Sequence, residues 1–101
     1  MRKEYRTMYR EEFKIICRSI YPCCYFDDFD ECCSILGPTW LGTIMTAYFD
    51  KNGEVVKLTN NYPKGSYKVK ITEKNVIRQV KWHVENYNMY LLMEKTYSSS
   101  T

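Results

Sequence analysis

Apolar residues recur every three or four positions through the start of the chain, at Tyr5, Tyr9, Phe13, Ile16 and Ile20. That is the period of one helix face, so an amphipathic helix is predicted over about 4–20, ended by Pro22. A shorter helix is expected next. Asp27 or Asp28 caps it, Asp30 and Glu31 favour its positive end, and Gly37-Pro38 stops it. On such a helix Phe29, Cys32, Cys33 and Leu36 fall at i, i+3, i+4 and i+7, the buried stripe of an amphipathic element. From Trp40 the period shortens to two. Thr43 to Phe49 is β-branched and aromatic, Asp50-Lys51-Asn52-Gly53 reads as a turn, and Glu54 to Thr59 follows as the partner strand. After a second turn-rich connection from Asn60 to Gly65, the stretch Ser66 to Ile71 alternates Tyr67, Val69 and Ile71 with Lys68 and Lys70. Thr72 then caps a last helix to about Lys95, with Val76, Ile77, Val80, Val84, Tyr87 and Leu91 on its core face. The predicted fold is a single α+β domain over residues 1–97 in the order ααβββα. Its three-stranded antiparallel sheet packs against helices on one face, and residues 98–101 form a flexible tail.

The stretch 23–33, CCYFDDFDECC, carries the densest candidate chemistry. Four readings compete: packing, a metal site, a disulfide framework and a reactive thiol. Zinc needs about four converging ligands, and adjacent cysteines on a helix point about 100° apart. DDFDE lacks the glycine and spacing of a calcium loop. The odd count of five cysteines opposes a closed disulfide framework. Packing is therefore the expectation, with cysteine acting as a small hydrophobe and no metal bound.

Catalysis has little to rest on. The lone histidine, His83, falls mid-helix beside the core stripe, where a polar interfacial residue is commoner than a base. The glycines form no phosphate cradle: Gly37-Pro38 and Gly42 flank Trp40, and Gly53 and Gly65 belong to turns. No enzyme and no cofactor are expected. No apolar run approaches the roughly 18 residues that span a bilayer, and MRKEYRTMYREEFKII has no signal-peptide core. A cytoplasmic protein that does not associate with membranes follows as the expectation, with reduced thiols.

The net charge of +3 hides an asymmetry: residues 21–36 hold four acids and no base, whereas 57–81 hold seven bases and one acid. Two basic surfaces follow. Lys3, Arg10, Lys14 and Arg18 form a row on the first helix, either a solvated face or a set of phosphate contacts. Lys57, Lys68 and Lys70 point away from the helices, either on the wet side of a two-layer domain or on a platform for a nucleic-acid strand. A third surface is apolar. Trp82, Met89 and Met93 stack at i, i+7 and i+11 on the last helix, bordered by Arg78 and Leu92 and nearly opposite its core face. Such a stripe is covered by the chain's own first helix, by a partner or by a second copy forming a homodimer.

Through its αβββα portion the expected order resembles double-stranded RNA-binding domains. Their basic, glycine-containing start of the last helix has no counterpart in TEKNVIRQVKW, so the resemblance implies an order of elements and carries over no site residue. The function expected from sequence is a small non-catalytic binding protein that docks on a protein or protein–nucleic-acid assembly through Trp82, Met89, Met93 and Arg78. An accessory or inhibitor protein of a phage or mobile element would have this character. The alternative is direct nucleic-acid binding through Arg10, Lys14, Arg18, Lys57, Lys68 and Lys70.

Overall fold

The computed structural model describes residues 7–62 and 65–89. Two helices and five strands follow in the order αβββββα: α1 (Arg10–Ile20), β1 (Tyr25–Asp28), β2 (Cys32–Leu36), β3 (Thr43–Phe49), β4 (Val55–Tyr62), β5 (Gly65–Val69) and α2 (Glu73–Asn86). The strands form one antiparallel meander in sequence order. This overturns the three-stranded ααβββα expectation, and with it the likeness in element order to double-stranded RNA-binding domains.

The error lies in residues 25–36, which form a β-hairpin instead of a helix. Their helical spacing coincides with a strand alternation. Cys33 pairs with Ala47 and Ile35 with Met45 across β2 and β3, so these two side chains enter the core while Cys32 and Ser34 take the other face. Phe29, expected in the buried stripe, sits in the hairpin turn and is 59% exposed. The acids cap no helix: Asp27 and Asp28 end β1, and Asp30 and Glu31 lie in the turn, which the Phe29 N–H closes onto the Cys32 carbonyl at 2.9 Å.

Other boundaries also move. β4 runs on through Asn60, Asn61 and Tyr62 and β5 starts at Gly65, so strand replaces most of the expected Asn60–Gly65 connection, and β5 ends at Val69 instead of Ile71. Tyr9 is extended and bridges Glu54, and the Val55 N–H donates to the Met8 carbonyl at 2.8 Å, so the chain enters as a strand and α1 begins only at Arg10. Phe13 and Cys17 are its buried residues. α2 stops at Asn86, well short of Lys95, because Asn88 adopts φ 53°, a left-handed conformation that asparagine tolerates better than most residues. Tyr5, Lys3, Lys64, Leu91, Leu92, Met93, Lys95 and the tail 98–101 lie outside the described residues.

Strand register sorts the sheet into two faces. The row Phe26–Ile35–Met45–Asn60–Tyr67 and the row Asp28–Cys33–Ala47–Leu58–Val69 face the helices. α1 packs Phe13 edge-on to Phe26 at 6.5 Å between ring centroids, and α2 hydrogen-bonds Asn60 through His83, so both helices cover the same face. The core joins Phe13 and Cys17 to Val76, Val80 and Val84 over that face. The opposite row, Asp27–Ser34–Thr46–Thr59–Lys68, carries no helix among the described residues.

Both ends of the later elements are closed locally. The Asp50 carboxylate accepts from the Asn52 and Glu54 N–H groups at 2.8 and 3.0 Å in the β3–β4 turn, where Gly53 takes φ 86°. Thr72 caps α2, its hydroxyl accepting from the Asn75 N–H at 3.0 Å. Replacing Thr72 by alanine should cost about 1 kcal/mol, read as a fall in the urea midpoint with an unchanged slope. An unchanged midpoint would show that the cap contributes nothing.

Candidate binding surfaces

The basic row on α1 meets the acidic hairpin. Arg10 donates to the Asp28 carboxylate at 2.8 Å and to the Phe29, Asp30 and Cys32 carbonyls at 2.6, 3.2 and 3.4 Å, and its guanidinium lies 4.4 Å from the centre of the Phe49 ring. Lys14 pairs with the other oxygen of Asp28 and lies beside Phe26. Arg18 is exposed and rests over the Phe26 ring at 5.1 Å. Arg10 and Lys14 are therefore engaged in holding the hairpin, and two bases of α1 neutralise Asp28 of the acidic segment.

The same contacts govern the chemistry of CCYFDDFDECC. Partial burial pushes the Asp28 carboxyl up, but hydrogen bonds from Lys14, the Cys33 thiol and Arg10 outweigh it and hold the group below its ordinary value. The Cys33 thiol, buried and facing that carboxylate, is pushed up to about 12. Burial likewise raises Cys17, and it lifts Cys24 to about 11. These three thiols stay protonated at neutral pH and are poor nucleophiles. All five cysteines are free, and among the described residues no group of three or more His, Cys, Asp or Glu side chains is placed to hold a metal ion.

His83 is 1% exposed. Its Nε2 donates to Asn60 Oδ1 at 3.1 Å, Asn60 Nδ2 donates to the Tyr67 hydroxyl at 3.2 Å, and Tyr67 donates to Gln79 Oε1 at 3.1 Å. His83 Nδ1 has no partner among the described residues. Burial lowers the imidazole to about 4, since a second proton would place a charge in the core with nothing to accept it. Tyr87 stacks on the imidazole at 5.9 Å. His83 is a buried core residue whose Nε2 donor is satisfied by Asn60.

Among the described residues the stripe expected on the last helix loses Met89, which follows the left-handed Asn88 beyond the end of α2 and is fully buried in the core. Met93 lies outside the described residues. Trp82 is half-buried and Arg78, one turn earlier, is exposed. What the fold assembles instead is an aromatic cluster. Tyr87 contacts Trp82 at 6.0 Å and Trp40 at 5.7 Å, both edge-on, and Trp40 is 66% exposed on the β2–β3 loop. The sequence signal for Trp40 was its place between Gly37-Pro38 and Gly42, a large apolar residue in a stretch that forms a turn. The loop is closed by a Gly37 N–H bond to the Gly42 carbonyl at 2.8 Å.

Lys57, Lys68 and Lys70 are exposed, with Lys57 and Lys68 on the helix-free face, and Lys57 lies 4.7 Å over the Tyr48 ring. Among the described residues no helix is long and apolar enough to cross a membrane. Compared with protein-family models, curated proteins and solved structures, the chain matches none.

Proposed function

We propose that this chain is a small non-catalytic binding protein that docks on a protein or protein–nucleic-acid assembly through Trp40, Trp82, Tyr87 and the bordering Arg78. The observation that carries this reading is Trp40, 66% exposed yet braced edge-on by Tyr87, which is itself stacked on buried His83. A tryptophan held this way brings a large contact area at little entropic cost, and Trp, Tyr and Arg are the residues that dominate interface energetics. Met89, buried in the core, takes no part in this surface. The absence of catalysis in this reading rests on a histidine sealed in the core and on thiols raised by burial. Five free thiols suit a reducing compartment such as the cytoplasm.

Direct nucleic-acid binding through the α1 row is the weaker reading, because Arg10 and Lys14 are held by Asp28. The test begins with capture from a native host extract and continues with the purified partner by calorimetry. Trp40→Ala should weaken binding at least tenfold, about 1.4 kcal/mol, while moving the melting temperature by less than about 2 °C. Equal affinity of Trp40→Ala and the parent would remove the aromatic end from the interface.

A further inference from the structure

The helix-free face of the sheet has a basic half with a built-in electrostatic cost. Lys68 pairs with Thr59, two residues along β4 from Lys57, and Lys70 follows directly after the last residue of β5, Val69. Like charges near one another on a surface repel. None of the three lysines forms an ion pair among the described residues, whereas the acids of the hairpin turn lie across the sheet at β1. An anionic ligand would relieve that repulsion.

The middle of the face is closed to solvent: Ser34, Thr46 and Thr59 are buried, and Ser34 and Thr46 share a hydrogen bond of 2.8 Å. Register places Tyr48 beside Lys57, whose ammonium lies over its ring. The exposed lysines therefore offer phosphate contacts beside one aromatic ring, but no helix or ribbon to enter a duplex groove.

We propose that the β4–β5 edge of the helix-free sheet face, built from Lys57 and Lys68 with Tyr48 and adjoined by exposed Lys70, binds single-stranded nucleic acid. This goes beyond the aromatic docking surface and does not depend on it, since Trp40 and Tyr87 contact each other at the β2–β3 loop and the end of α2.

Fluorescence anisotropy with labelled oligothymidylate and oligouridylate of about 20 nucleotides tests the proposal. The parent chain should bind at low salt and lose about 20-fold in affinity between about 50 and 200 mM salt, as expected for three phosphate contacts on a single strand. The triple variant Lys57→Gln, Lys68→Gln, Lys70→Gln should lose most of the affinity and most of that salt dependence, with an unchanged circular dichroism spectrum. A second triple variant, Arg18→Gln, Lys74→Gln, Lys81→Gln, carries the same net charge but alters exposed positions on the helices. It should stay within about twofold of the parent. No binding by the parent at low salt overturns the proposal, as does an equal loss in both triple variants. Tighter binding to a duplex of the same length, or to polyglutamate, overturns it in favour of a duplex ligand or an acidic protein.

Discussion

Between pH 6.5 and pH 4 the folded state should lose about 3 kcal/mol through one side chain, His83. Its imidazole takes up a proton at about 6.5 when the chain is unfolded and only at about 4 when it is folded. Within that window the unfolded state binds more protons. Stability is therefore fully present above 6.5, falls as the pH drops, and levels off below 4. The groups that surround His83 give no relief: Asn60 on β4, Tyr67 beyond it on β5, and Trp82 and Tyr87 are all uncharged. Asp28 adds a loss of the same sign only lower, below its ordinary 3.8, because its carboxyl is depressed in the fold. Small domains have about 5–15 kcal/mol to lose, so a measurable unfolded fraction should appear near pH 4. Urea titrations at a series of pH values measure the slope. His83→Gln keeps an amide donor for Asn60 and cannot titrate, so its stability should be flat across the window. An unchanged acid slope in that variant would assign the effect to another group.

Arg10→Ala should cost about 2–3 kcal/mol and loosen the β1–β2 hairpin selectively. The ion pair is the smaller part. Arg10 and Asp28 are 28% and 43% exposed, and solvent leaves such a pair worth less than about 1 kcal/mol. The larger part is the fork of donors reaching three turn carbonyls, together with the contact over Phe49. Lysine has no planar fork, so Arg10→Lys should restore less than half of the loss. Amide exchange should quicken across Tyr25–Leu36 while β4 and β5 keep their protection. Full rescue by lysine would show that charge alone holds the hairpin.

The two surfaces differ in how far they could be read before the fold was known. Strand alternation by itself sends Lys57 and Lys68 to the face away from the core, and the β4–β5 register agrees, whereas Lys70 falls just past the end of β5. The aromatic end was not legible. Trp40 and Tyr87 are 47 positions apart in sequence, and only sheet and helix packing brings their rings to 5.7 Å.

Local pattern alone determined α1 from Phe13 to Ile20, the strand Thr43–Phe49, the Asp50–Gly53 turn and the Thr72 cap, because each depends on neighbours within a few residues. Tertiary structure decided the rest. In CCYFDDFDECC, apolar positions at i, i+3, i+4 and i+7 satisfy a helix, while Cys33 and Ile35 satisfy a strand equally well. Pairing with Ala47 and Met45 on β3, together with Arg10 seizing the turn, selected the strand. The end of α2 was settled in the same way: the sequence allows a helix to continue past Asn86, but a left-handed Asn88 interrupts it before Met89, whose side chain is buried in the core.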